Sequence, residues 1–599
     1  DRTGLLSEVQ YGNGGKVSYA YDGYDRLTGV KYDEENAERY TYQYGANGQA
    51  SEVKDVNLGR TTRTDYDLAD RPCQVEVRND SDGSLMYRTR LKYDKLGNLE
   101  RFAENVGTET HETAYAYDRD NRVTALTYDG DTQKVSYGYD ELGRVTTRTA
   151  ECGADAGKLT STYTYVDGGF GTNSTTPLVK KITQNGISFE YTYDTRGNII
   201  SEKRNGVETT YAYDSLGQLI RVNDPHLNQT WVYNYDRGGN ILSKVRYAYT
   251  TGTLGTVQQI VSYAYGDADW KDKLTRYNGV DIAYDAIGNP IHDGVWTYTW
   301  ENGRQLRRMA CDATIAEFVY NADGLRVQKT VNGVTTNYTL HGKNIVHMTK
   351  GNAELHFWYD AQNRPAIVEF NGTKYGYLYN LQGDVIGLID SANTEVVKYT
   401  YDAWGKPLSV TGSLANTIGY YNPFRYRGYV YDVETGLYYL RSRYYNPSWG
   451  RFVNADKIIR KSLLGYNLYS YCRNDPENNH DSSGNAYDRI AAVKYALEYC
   501  YKRNQQYYNY VANGDCTNFT SQCLYSGGIQ MDDKWYSRRG KKRIYAFLIP
   551  DSQYKHRYGW DVSPAWSIAS HQFEYFRDSE YVNACQEIDG SSTIEEILS

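Results

Sequence analysis

Tyr191-Thr192-Tyr193-Asp194-Thr195-Arg196-Gly197-Asn198-Ile199-Ile200 is the stretch from which the rest of the chain can be read. An alternating run ends in Tyr-Asp; two variable residues, a glycine and a polar residue follow, and a second run begins. Alternation puts successive side chains on opposite faces, as in a strand. The Asp carboxylate can bond backbone amides ahead of it, as in an Asx turn, and Gly takes the positive-φ position. The unit reads as a β-hairpin.

The same unit recurs along the chain. Clear copies are Tyr93-Asp94 with Gly97-Asn98, Tyr139-Asp140 with Gly143-Arg144, and Tyr213-Asp214 with Gly217-Gln218. Others are Tyr235-Asp236 with Gly239-Asn240, Tyr284-Asp285 with Gly288-Asn289, and Tyr401-Asp402 with Gly405-Lys406. Looser copies sit at Tyr21, Tyr66, Tyr117, Tyr320, Tyr359 and Tyr379, and neighbouring copies lie 20 to 24 residues apart. A single hairpin is marginal in water, so the units must stack and bury their Tyr faces on one another. Turn chemistry and ring packing account for every Tyr-Asp pair, and no repeat residue is assigned a catalytic role.

Composition agrees. The 599 residues hold 65 tyrosines against 12 phenylalanines, with 55 glycines and 4 methionines, a bias toward half-buried strands and tight turns. Tyr in place of Leu suggests a wall wet on one side, where the ring packs and the hydroxyl keeps a partner. The 74 acidic and 66 basic residues leave a mild negative charge without a basic block, which argues against nucleic acid as a partner. No apolar run approaches the ~18 residues that cross a membrane. The eight cysteines form no CxxC pair, so a zinc ribbon is not expected, and nothing implies a metal or organic cofactor. The chain opens at Asp1 inside the Gly/Tyr pattern and reads as part of a longer protein.

The repeat resembles the YD repeat of bacterial Rhs and wall-associated proteins over about two-thirds of the chain. After it come Asn422-Pro423-Phe424-Arg425-Tyr426-Arg427-Gly428-Tyr429, Tyr431-Asp432, Glu434-Thr435-Gly436-Leu437-Tyr438-Tyr439-Leu440, Arg443-Tyr444-Tyr445-Asn446-Pro447 and Gly450-Arg451-Phe452. That run resembles the Rhs-associated core. The resemblance implies a mostly β protein in which YD strands spiral into a hollow shell closed by the core, with a variable effector beyond it. The expected domains are 1–420 for the shell, 421–485 for core and junction, and 486–599 for the effector. Relatives also carry two junction aspartates, the second usually in Asp-Pro-x-Gly, and some self-cleave just beyond it. By position these are Asp456 and Asp481, although Lys457 follows the first and Ser482 stands where Pro is usual. Two carboxylates at one site make chemical sense, since proximity raises one pKa and yields an acid and a base. Asp481 also reads as an ordinary turn residue in Asp-Ser-Ser-Gly.

Beyond Asn485 the Tyr/Gly rhythm stops. Ile490, Val493, Ala496-Leu497 and Cys500 form an apolar stripe at helical spacing. Asp515 is a good N-cap and Gly527-Gly528 a good C-cap, so Cys516 should open a short helix, with Cys523 a core residue. The segment Asp515-Cys516-Thr517-Asn518-Phe519 resembles the nucleophile segment of an amidase domain found in many Gram-positive bacteria, and papain-like cell-wall endopeptidases. In those relatives the catalytic His lies well after the Cys, following a Gly-Asp segment. His556 and His571 do not sit in a matching context, so Cys516 is expected to lack its base in residues 1–599 and this stretch to be inactive by itself.

The reading that follows is a secreted or wall-associated bacterial toxin-like protein, of Gram-positive type. Its shell would carry a cysteine-dependent amidase or peptidase as an intramolecular partner, with cell-wall glycan or peptidoglycan and an immunity protein as further partners. The competing reading is a non-enzymatic, wall- or carbohydrate-binding repeat protein with a degenerate tail.

Overall fold

The computed structural model describes residues 4–484, except 33–34, 108, 131–132, 153–157, 169–173, 457–466 and 482, together with the strands Ser537–Arg539 and Trp560–Val562. The chain divides into two compact units, residues 1–455 with 469–480, and residues 456–468 with 481–599.

The first unit is an antiparallel meander in which, within each sheet, every strand pairs with the next in sequence. One sheet runs from Glu8–Gln10 to Val280–Asp281 and holds 24 strands among the described residues. A second runs from Ala283–Tyr284 to Pro407–Thr411 with 14, and the core segment adds a four-stranded sheet from Val430–Asp432 to Arg451–Phe452. The sequence predicts unbroken strands, whereas the ladder is interrupted between Asp281 and Ala283. Turn residues crowd there: Asn278-Gly279, Gly288-Asn289-Pro290 and Asp293-Gly294 leave strands of only two or three residues.

The Tyr-Asp turn is built as its chemistry predicts. In the copy at Asp194, Oδ1 accepts the amides of Arg196 and Asn198 at 2.8 and 2.9 Å, and Oδ2 accepts Asn198 Nδ2 at 2.8 Å. Gly197 has φ +81. Where the fifth residue is Arg it has two contacts. Arg144 Nε donates to Asp140 Oδ2 at 2.7 Å, and its guanidinium lies 4.1 Å from the ring centre of Tyr165 in the next repeat. Arg71 covers Tyr93 the same way at 4.2 Å. The opposite end of many hairpins is a two-residue Asn-Gly turn. Asn205-Gly206 and Asn332-Gly333 have positive φ at both residues, the type I′ geometry that matches strand twist.

Each Tyr-Asp turn also carries a bulge. Pairing steps from Thr192↔Ser201 to Tyr193↔Ile199, skipping Ile200. The next repeat closes on that point: Tyr213 Oη donates to the Ile199 carbonyl at 2.7 Å. Tyr165 does so to Val145, the residue opposite Tyr139, and Tyr401 to Val385, the residue opposite Tyr379. The hydroxyl expected to face a wet wall thus binds the backbone of the preceding repeat, which explains the excess of Tyr over Phe.

The two large sheets pack on each other along a seam. Leu126, Val135, Leu159, Ile182 and Phe189 of the first sheet cluster with Trp358, Ile367, Leu378 and Ile389 of the second. Polar contacts lie along the same seam, with Tyr128 Oη to the Tyr359 carbonyl at 2.9 Å and Arg148 Nε to Asp360 Oδ2 at 3.1 Å. In the second unit, Ser537–Arg539 pairs antiparallel with Trp560–Val562. The helices expected around 487–510 and after Asp515 lie outside the described residues.

Candidate functional site: the core, the junction and the C-terminal segment

The core segment is fastened to the second sheet by buried charge. Asp432 is fully buried and takes a two-point grip from Arg326, with Nη1–Oδ2 at 2.5 Å and Nη2–Oδ1 at 3.0 Å. Lys329 Nζ reaches Asp432 Oδ1 at 2.9 Å and Glu434 Oε2 at 2.7 Å, and Lys350 Nζ reaches Glu434 Oε1 at 2.6 Å. These cations hold the Glu434 carboxyl down to about 2, against the pull of burial. The Arg326 guanidinium is framed by Tyr439 at 4.5 Å and Tyr338 at 5.2 Å. Arg451, also buried, donates to the Asn240 side chain, Tyr265 Oη and the Asp272 carbonyl, tying the core to the first sheet. Tyr438 and Tyr445 donate to the carbonyls of Gly405 and Trp404. The core is therefore an integral lock of the first unit. Sequence reading finds Asp432 and Glu434 as motif residues but not their partners, which lie 84 or more positions away in unremarkable strand contexts.

At the junction, Asp456 and Asp481 are 7 % and 3 % exposed. The Asp456 amide donates to the Leu468 carbonyl at 2.8 Å, and Ser483 Oγ donates to Asp481 Oδ1 at 3.4 Å. Both aspartates open segments of the second unit. Two carboxyls that the sequence does not single out lie close by in the chain. Asp475 is pushed up to about 6 by burial, opposed by its hydrogen bonds from Asn478 and by Arg427; Asn479 binds its other oxygen. Glu477 is pushed up to about 8 by burial, opposed by Arg427 and reinforced by Asp384. Nothing in a turn sequence such as Asp475-Pro476-Glu477 signals burial of this kind. Cys516, Cys523, His556 and His571 lie outside the described residues.

Two family models match the chain. The family model for the Teneurin YD-shell matches residues 172–477, and the model described as "Putative amidase domain" matches 486–595. The tRNA nuclease WapA of Bacillus subtilis strain 168 is 36 % identical over 273 residues, covering 44 % of this chain and 11 % of the relative. Double-stranded DNA deaminase toxin A of Burkholderia cenocepacia is 25 % identical over 297 residues, covering 48 % of this chain and 18 % of the relative. Among solved structures, TcdB2-TccC3-Cdc42 aligns with TM-score 0.63 at 18 % identity, covering 79 % of this chain and 26 % of that one. The Photorhabdus luminescens Tc holotoxin pore aligns with TM-score 0.61 at 18 % identity, covering 81 % and 27 %. The chain thus spans about a tenth to a fifth of these curated relatives' length, and about a quarter of the solved chains. With the YD-shell model covering just over half of its length, the meander that the Tyr-Asp turns predict is that family's own, and the chain belongs to the Teneurin YD-shell family, with an amidase-type domain at its C-terminal end.

Proposed function

We propose that this chain is the carrier-and-effector portion of a secreted, toxin-like Rhs protein. Its hollow YD shell holds a cysteine-dependent amide hydrolase as cargo. The observation that carries this reading is the succession along the chain: a locked YD core, then a segment matching an amidase family model from residue 486 onward. Relatives that share sequence with this chain bear unrelated activities in their names, tRNA nuclease and DNA deaminase, which supports a common carrier with exchangeable cargo.

In the proposed chemistry, the Cys516 thiolate attacks an amide carbonyl of a cell-wall or other peptide and forms a thioester as the amine departs with a proton. Water then releases the acid and restores the thiol. Lowering a thiol pKa from about 8.5 to below 7 takes roughly 2 kcal/mol, and a helix N-terminus supplies only about 0.3–1, so a histidine base must assist. Asp456 and Asp481 would act as a self-cleavage pair that frees the cargo near Asn485-Ala486. Cell-wall glycan or peptidoglycan and an immunity protein are its proposed partners.

The test is expression of the complete gene product in a susceptible bacterium. Cys516→Ala should abolish toxicity, and purified protein should run as two bands that Asp481→Asn converts to one. Undiminished toxicity of Cys516→Ala would remove the nucleophile assignment and favour a wall-binding repeat protein.

A further inference from the structure

Four of the nine histidines meet where the two large sheets pack together. Glu104 and His111 are cross-strand partners in the first sheet, and His347 and His356 are cross-strand partners in the second. The rings of His111 and His356 stack at 3.8 Å with planes 24° apart, so each sheet contributes one member of a histidine sandwich. His356 is 3 % exposed and neither ring nitrogen makes a hydrogen bond, although Nε2 comes within 3.2 Å of Glu104 Oε1. Trp358 lies edge-on to both rings, 4.4 Å from His356 and 5.2 Å from His111, and His341 lies 4.3 Å from Phe102 across the same seam.

The charges facing this stack come from every neighbouring strand. On the first sheet, Asp129 Oδ2 binds His111 Nδ1 at 2.9 Å, Glu109 lies 3.6 Å from His111 Nε2, and Tyr87 Oη donates to Glu104 at 3.1 Å. On the second, Glu354 binds His347 at 2.8 Å, Lys374 Nζ stands 4.8 Å over Trp358, and Glu369 acts on His111 through its charge. Asp129 secures one charge on His111. A second proton on the stacked partner would place two cations in van der Waals contact inside a dry seam.

We propose that the Glu104–His111–His356 cluster is an acid-sensitive latch, so that lowering the pH from 7 toward 5 weakens the contact between the two large sheets. Burial holds His356 well below the ordinary 6.5 and His341 below it, while Asp129 holds His111 above it. Burial lifts Glu104 from 4.5 to about 7. On opening, His356 and His341 regain ordinary proton affinity, so acidification favours the open seam through both rings, while Glu104, which gives up its proton on opening, offsets part of this.

Hydrogen exchange of the full chain, expressed as protection factors at pH 7, 6 and 5, reads local opening of Glu109–Tyr117 and Ala353–Tyr359. Wild type should lose protection steadily as the pH falls from 6.5 to 5, with the distant strands Leu219–Asp224 and Gln229–Tyr235 as reference. His356→Phe keeps a ring in the stack and removes one titrating group, so its dependence should flatten. Glu104→Gln mimics the protonated carboxyl and removes the compensating proton, so its dependence should be steeper than that of wild type. Protection that is constant from pH 7 to 5 in wild type, or identical pH slopes in all three proteins, would overturn the proposal.

Discussion

Removing one hydroxyl from the tyrosine ladder tests the account of how successive repeats are joined. Tyr379 is 6 % exposed and its Oη donates to the Pro365 carbonyl at 2.6 Å, at the bulge opposite Tyr359. Tyr379→Phe keeps the ring, its stacking on Tyr377 at 5.9 Å and its cover by Arg364 at 5.1 Å, and deletes only this bond. The stranded carbonyl is buried, so the cost is that of an unsatisfied acceptor, ~1–3 kcal/mol. At a factor of ten per 1.4 kcal/mol, that predicts roughly 5- to 150-fold faster local opening. Because stability in a stacked array is a sum of nearest-neighbour terms, the effect should stay within adjoining repeats. Hydrogen exchange of Ala353–Tyr359, Pro365–Phe370 and Thr373–Tyr379 reads it, with Tyr24→Phe, 74 % exposed, as the control within about 0.5 kcal/mol. Protection unchanged within twofold, or lost evenly across both sheets, would refute the ladder.

Two further outcomes follow from the core. Asp432→Ala leaves Arg326 and Lys329 buried and shorn of their shared counter-ion, which should destabilise the first unit by about 3–5 kcal/mol, read as a drop in its thermal midpoint. Glu477 has a folded pKa of about 8 against an ordinary 4.5, so the native state holds a proton that the unfolded chain has lost; stability therefore falls as pH rises through this window. Glu477→Gln should match wild type in midpoint near pH 4.5 and exceed it at pH 8–9, and a variant equal to wild type across that range would show that the carboxyl is not buried as described.

The fold is legible in the sequence because its rule is local. Tyr193, Asp194 and Gly197 each have one physical task, completed within five residues, and repetition multiplies the signal. The bulge at Ile200 and the bond from Tyr213 back to Ile199 are less visible, since they depend on register and on a partner in another repeat. Asn205-Gly206 could have been read as a type I′ turn from its residue types alone. The candidate sites divide the same way. Asp432 and Glu434 stand out as motif residues, but Arg326, Lys329 and Lys350 become their partners only when distant strands pack. The histidine stack is invisible in sequence for the same reason, since 245 positions separate His111 from His356. Asp456, Asp481 and Cys516 are picked out by their place in the family motifs alone.

The most direct measurement is amine release from peptidoglycan fragments and model peptides by the complete gene product, followed by mass spectrometry of products and protein. A free amine should be released, with a transient acyl adduct on the peptide containing Cys516, and both should be lost in Cys516→Ala. Release that persists at the same rate in Cys516→Ala, or toxicity with no amide cleaved in any substrate, would contradict amide hydrolysis at Cys516.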